Sequence, residues 1–442
     1  MSVTFLVYVL VIVVPFVRRA PAPPGNVAEF DWHFFVPCRD EEAVIGGTIR
    51  YLRGTFPHAH LWVIDDDSDD RTTGIVRSAR RNGGTRDPYI HLVQRCRPEA
   101  RTGKGHALNA GYRQLREWLD PHADPDRTIV VVVDADGRPA SNCLDVCAGR
   151  HLFGNPRIGA VQIDVRMINR DQQPGGRRGP RRWLGTTLVR MQDLEFRTAI
   201  SAIQLSRGYT GTIAMGGNGQ FTRLSALNSI AGQSSTPWRG SLLEDFELGV
   251  HLLTNGWRTG YTADTHVEQE GLYSVRRFLA QRTRWGQGTM QCARYLRQVW
   301  ASPHLTTLGA IEVMYYLAQP WMQLIGTMIY PVPIMLTVWR ATHDPHQVFT
   351  WFTSGAWILF VVYCAFGLLP FVIWGPIYRA RCEPRIGLLR SLWLGCAYAV
   401  YIYMFYITSW RAVIRLLRHR NGWAKTRRNN ETAIIGAIAP DH

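Results

Sequence analysis

From residue 26 to residue 300, short apolar runs alternate with segments whose apolar positions recur every three or four residues. WHFFVPC (32–38), HLWVIDDDS (60–68), YIHLVQR (89–95) and TIVVVVDAD (128–136) are short and rich in β-branched and aromatic residues, so they predict strands. EEAVIGGTIRYL (41–52), a segment at about 72–82 and GHALNAGYRQLREWL (105–119) carry the helical period. This alternation predicts an α/β domain, a mixed and mainly parallel sheet with helices on both faces. In such sheets ligands sit outside the carboxyl ends of the strands, and two of these strands end in carboxylate clusters. The Gly- and Arg-rich stretch 170–182 predicts a loop.

Outside that domain the pattern turns continuously apolar. Residues 3–17 (VTFLVYVLVIVVPFV) carry no charge, and Arg18 and Arg19 follow them. A signal peptide carries its basic residues before the apolar run, so this order predicts an anchor over 1–19. By the positive-inside rule the domain is then cytoplasmic. Three later stretches, at about 308–339, 348–378 and 386–410, are each long enough to cross a bilayer. The expected organisation is an anchor (1–19), an α/β domain (26–300), an interface helix with transmembrane helices (301–417) and a basic tail (418–442). The expected location is the plasma (inner) membrane, multi-pass. Three spans after a cytoplasmic domain would leave the tail outside, yet RAVIRLLRHRNGWAKTRRN (411–429) is strongly basic and argues for inside. One stretch is therefore expected to be interfacial or re-entrant. The candidate is 386–410, which holds Arg390 and many aromatics.

The net charge is +16. Lys and Arg form no compact stripe interleaved with aromatics, which argues against nucleic acid as a partner. Membrane lipids with anionic headgroups and a phosphorylated substrate account for the charge better. The eight cysteines include no C-x-x-C pair, as expected of a reduced compartment. Cys143 and Cys147 are spaced for helix packing.

Several constellations carry chemistry. Asp134 and Asp136 stand on alternate residues at the end of the expected central strand. Buried there they are costly unless they hold something positive. Mg²⁺ or Mn²⁺ bridging a diphosphate suits them, because hard cations take oxygen ligands and leave positions for phosphate. Asp65 and Asp66, ending the second strand, could accept hydrogen bonds from a base or ribose, while Asp67, Ser68 and Asp69 read as helix caps. Gly103, Lys104 and Gly105 before a helix suit a phosphate, although the Walker spacing is absent. LLEDFELGVHLL (242–253) sets Glu244 and Asp245 at a helix start. An acid there either favours the helix dipole or serves as a general base beside a leaving group, and spacing leaves both open. In LAQRTRWGQG (279–288), Gln281, Arg284 and Trp285 share one helix face. Arg284 can neutralise a diphosphate with two N–H donors. Trp285 can stack on a sugar, and Gln281 can fix either. An interfacial amphipathic helix is the plainer alternative.

VPCRDEE, VIDDDS, RTGKGHALN, DAD, GGNGQF (216–221), LLEDFELG and QRTRW, in this order and at these intervals, resemble the processive family 2 glycosyltransferases: the cellulose, hyaluronan, chitin and poly-N-acetylglucosamine synthases. The resemblance covers about residues 32–300 and implies a GT-A fold, a UDP-sugar donor and a divalent metal. It implies that Pro37, Arg39 and Glu41 belong to the nucleotide pocket, Asp66 to the uracil side and Asp134 to the ribose. Asp136 would hold the metal, Asp245 would be the general base, and Gly217, Asn218 and Gly219 would line the acceptor side. WAKTRR, with Trp423 and Lys425, resembles a tail segment that closes over the active site in related synthases. Leu243 departs from the Thr or Gly often found before the acid pair. The resemblance implies inverting transfer to a growing polysaccharide exported through the membrane helices, with accessory export proteins as further partners. Two alternatives stand beside it: transfer of one sugar to a membrane lipid, as in ceramide glucosyltransferases, and an inactive export scaffold. The donor sugar is not legible; N-acetylglucosamine or glucose follows from the resemblance alone.

Overall fold

A computed structural model describes residues 7–420 except 82–85, 173–178, 234, 330, 344–348 and 351–352. Eight strands form one sheet: β1 (Asp31–Cys38), β2 (His60–Asp66), β3 (Ile90–Arg95), β4 (Thr128–Val132), β5 (Arg138–Pro139), β6 (Ile158–Met167), β7 (Gln220–Arg223) and β8 (Arg258–Gln269). Their order is β3-β2-β1-β4-β7-β6-β8-β5. β1 pairs parallel with β2 and β4, β2 with β3, and β6 with β8. β4/β7, β6/β7 and β5/β8 are antiparallel, so the sheet is mixed and mainly parallel, as expected.

The strands read as continuous apolar runs because helices cover both faces. Trp32, Phe34 and Val36 of β1 enter one core, and Phe35 enters the other with Ile64, Val130 and Val132. From β1 the chain passes to β2 on one side, while β4 lies on the other. That reversal opens a crevice outside the carboxyl ends of β1 and β4. All the chemistry described below gathers there.

Some boundaries differ from expectation. Residues 41–44 form a turn, and the helix runs over Ile45–Thr55. β4 stops at Val132, so Asp134 and Asp136 stand just beyond the strand. Asp67 has a positive φ (61°), and Asp70, not Asp67 or Asp69, caps the following helix by accepting from the Thr72 N–H at 2.9 Å. The expected loop over 170–182 is partly helix. Gly179–Leu194 is helical and continues through a wider π turn, Glu195–Ile200, into Ser201–Arg207. Cys143 and Cys147 are buried in a short helix, consistent with packing.

Toward the membrane side, Thr307–Arg340, Trp357–Arg381 and Leu388–Leu417 are helices long and apolar enough to cross a bilayer. Leu388–Leu417 is unbroken, which removes the re-entrant reading of 386–410. The first described residues form a shorter apolar helix, Val9–Arg18; residues 1–6 of the expected anchor lie outside the described residues. Val13 and Phe16 of this helix join Leu188, Leu194, Phe278, Trp374 and Tyr401 in a single core that binds the apolar helices to the sheet domain.

Candidate active site

The crevice at the ends of β1 and β4 is one mouth of a cavity of about 500 Å³. At this end it is lined by Pro37, Arg39, Glu41, Asp66, Lys104 and Asp134. Glu41 is held by its own backbone N–H, which donates to Thr72 Oγ1 at 2.8 Å. Asp66 is buried and accepts from Arg95 and from the Arg101 N–H. Asp65 turns the other way. Its carboxylate accepts from Ser68 and Thr73 and does not line the cavity, because side chains alternate along β2. Its expected ligand role is therefore corrected to fixing the loop after β2.

Lys104 was expected to meet a phosphate. Its ammonium instead donates to Asp134 Oδ1 at 2.7 Å and to the Gly217 carbonyl at 2.6 Å, with Glu244 Oε1 at 3.9 Å. It thereby ties the strand-end carboxylate, the 216–219 loop and the acid-bearing helix together. Burial pulls its pKa down, but the charges of Asp134 and Glu244 outweigh this and the net shift is upward. Gly217 lies so close that a Cβ would stand 3.0 Å from Lys104 Nζ and 3.1 Å from Asp245 Oδ2. Asn218 lines the cavity and links Asp134, whose N–H it accepts, to Gln269. Gly219, expected on the acceptor side, does not line the cavity. Its φ is 71° and a Cβ would strike Ile163 and Val267, so glycine is required for the turn into β7.

Helix Glu244–Thr254 delivers Glu244 and Asp245 to the cavity. Burial, and next the neighbouring Glu244 charge, push the Asp245 carboxyl up to about 7. Burial likewise raises Glu244. An acid with a midpoint near neutrality suits a general base. Helix Val275–Cys292 brings Gln281, Arg284 and Trp285 to the same cavity. This close approach needs Gly288, because a Cβ there would meet the Leu243 Cβ at 2.6 Å. Among the described residues Arg284 has no ion-pair partner, and its Nε is buried without a hydrogen bond. A cation held in this way beside two acids is a ready counter-charge for an anion.

Sequence reasoning missed how Trp285 is held. The Arg282 guanidinium lies 4.2 Å from the centre of the Trp285 ring and pairs with buried Glu195, which Tyr401 also binds. No local signal marks this pair, because Arg282 and Glu195 lie 87 residues apart in a chain stretch rich in other charges. Also missed was the far end of the cavity, lined by Tyr316, Pro320, Gln323, Phe405 and Ser409 of helices Thr307–Ile329 and Leu388–Leu417.

For a divalent metal the donor set is small. Among the described residues no group of three His, Cys, Asp or Glu side chains is spaced to hold an ion. Mg²⁺-type ions bind through one or two carboxylates plus substrate phosphates, and Asp134 with Asp136 fits that pattern. Asp136 Oδ2 accepts from the Glu270 N–H at 3.2 Å, beside the cavity but not lining it. Trp423 and Lys425 lie outside the described residues.

A sheet whose switch point gathers carboxylates, with a near-neutral acid and an arginine that has no ion-pair partner among the described residues lining one cavity, is an arrangement suited to group transfer from an anionic donor. Residues 31–288, over half of the chain, match the family described as "Glycosyltransferase like family 2", and the chain belongs to that family. The fold is accordingly GT-A-like, as the motif order implied. The chain is 29% identical over 266 residues to the beta-monoglucosyldiacylglycerol synthase of Synechocystis sp., covering 59% of this chain and 48% of that protein. It is 24% identical over 258 residues to the probable glucomannan 4-beta-mannosyltransferase 11 of Arabidopsis thaliana, covering 57% and 52%. It spans about half the length of the curated relatives it matches. Among solved structures it is similar to the mannosyltransferase PcManGT from Pyrobaculum calidifontis in complex with GDP-Man and Mn²⁺. There the identity is 17% and the TM-score 0.46, over 81% of this chain and 93% of that one.

Proposed function

We propose that the protein transfers one hexose, with inversion, from a UDP-sugar to the hydroxyl of a membrane lipid of the diacylglycerol type. The observation that carries this reading is the reach of the cavity, from the sheet crevice to the long apolar helices. Asp245, Arg284 and Trp285 line one cavity that runs from the crevice at the sheet to Tyr316, Pro320, Gln323, Phe405 and Ser409 on the two long apolar helices. A lipid acceptor can enter from the bilayer side while the donor enters from water. The relatives named as monoglucosyldiacylglycerol synthases favour the same acceptor. Both favour the single-addition alternative over the polysaccharide reading.

In this mechanism Asp245 takes the proton from the acceptor hydroxyl. The oxygen attacks the anomeric carbon from the face opposite the diphosphate, and the bond to UDP breaks. Arg284 donates to the departing phosphate oxygens, and Trp285 presents its ring to the sugar. Pro37, Arg39, Glu41 and Asp66 receive the nucleoside. A Mg²⁺ or Mn²⁺ ion held by Asp136 and Asp134 would draw negative charge from the diphosphate.

The test is UDP release and product size, followed together in nanodiscs with a panel of UDP-sugars, with and without diacylglycerol. Release that depends on the lipid and gives a single-sugar glycolipid, lost in Asp245→Asn, is expected. Long polymer formed without added lipid would restore the polysaccharide synthase reading.

A further inference from the structure

We infer that helix Leu388–Leu417 lies flat along the membrane surface. On this inference Thr307–Arg340 and Trp357–Arg381 form a two-helix hairpin that alone crosses the bilayer among the described residues. The chain at Arg420 then stands on the same side as the catalytic domain. The inference concerns topology and is independent of which acceptor is used.

The long helix touches the catalytic domain at both ends. Near its start, the Trp393 ring packs on Trp183 at 5.8 Å. In its middle, Tyr401 donates to buried Glu195. Near its end, Arg415 Nε donates to Gln287 Oε1 at 2.8 Å, within the helix that carries Arg284. Thirty residues extend about 45 Å, and the hydrocarbon core is about 30 Å thick. A helix that crossed would carry one end away from the domain by that thickness, so it could not meet the domain at both.

Its exposed residues agree. Leu389, Val400, Tyr403, Ile407 and Ile414 fall on one stripe, while Leu394, Tyr398, Tyr401, Thr408 and Ala412 are buried on the other. One face rests on protein and the other is offered to the acyl boundary. Arg411, Arg415, Arg418 and Arg420, at and just past its end, suit anionic headgroups.

The hairpin behaves differently. It leaves the domain where Arg207 pairs with Glu312 at 2.8 Å. It returns where Tyr378 binds Asp193 and Arg197 pairs with Glu383 at 2.6 Å. Between these points Ile325 and Ile334 are exposed on opposite faces of the first helix, and Leu359 and Leu368 on opposite faces of the second. Apolar exposure on opposite faces is what lipid-facing spans show. The twenty residues from Trp321 to Arg340 extend about 30 Å, which matches the hydrocarbon core. Two crossings restore the parity that three spans break and put Arg418 and Arg420 on the domain side, where positive charge belongs.

The test uses the full chain, with exposed Cys96 as the native marker of the domain side. Arg418→Cys and His343→Cys variants are treated with a membrane-impermeant maleimide in intact and in opened cells, and each site is read by peptide mass. Arg418→Cys is expected to label with Cys96, and His343→Cys from the opposite side. Arg418→Cys labelling together with His343→Cys would overturn the flat helix. His343→Cys labelling together with Cys96 would overturn the crossing hairpin. Nitroxides at Leu389→Cys, Val400→Cys and Ile414→Cys should report one shallow depth; a steady gradient across the bilayer would also overturn the inference.

Discussion

Asp245 and Glu244 are consecutive acids in one buried helical turn; burial raises both, and the Glu244 charge raises Asp245 further. A base must be deprotonated to act. With Asp245 pushed up to about 7, kcat/KM should be full above that pH and fall tenfold per unit below it. The Glu244 charge raises Asp245, so Glu244→Gln should move this acid limb to lower pH, which a pH–rate profile checks. Asp245→Asn should cost roughly 10²–10⁴-fold in rate at pH 8, measured by UDP release. Residue type and spacing singled out the acids, Arg284 and Trp285 as candidates, and the structure brings them to one cavity, while the role of the acids rested on the resemblance. That Lys104 is a tie rather than a phosphate ligand was not legible, because its partners lie 30 and 113 residues away in the chain.

Helix Val275–Cys292 owes its position to two features at the scale of the element. Gly288 lets its backbone approach Leu243. The buried Arg282–Glu195 pair, with side chains 3% and 7% exposed, pins it to the π turn of the neighbouring helix. Removing one member of such a pair strands the other charge and costs about 3–5 kcal/mol. Arg282→Met should therefore lower the Tm in detergent markedly, while Arg282→Met with Glu195→Gln should recover much of it. If the two losses simply add, the pair is not coupled. The helix itself was legible from its periodicity, but the π turn and the helical start at Gly179 were not. Gly and Arg in 170–182 signal a turn, yet from Gly179 the chain is helical as the exposed start of the helix Gly179–Leu194, whose later residues Leu188 and Leu194 are buried.

At the scale of the molecule, the sheet domain and the apolar helices share a core in which Leu188, Leu194 and Phe278 are covered by Trp374, Tyr398 and Tyr401. Ending the chain at Ser302 would expose this surface. The truncated domain is expected to need detergent to stay dispersed and to melt below the full chain. Light scattering and thermal unfolding check both, and a monodisperse, equally stable fragment would contradict the shared core. The strands, their alternation with helices, the carboxylate clusters and the apolar stretches were determined by the sequence alone, because period and local apolar content act over a few residues. Tertiary structure alone decided that Asp65 and Gly219 leave the cavity, that the cavity reaches the long apolar helices, and that the last long helix meets the sheet domain near its start, middle and end. Each of these depends on contacts between residues far apart in the chain, and no local pattern encodes which distant surface a given face will meet.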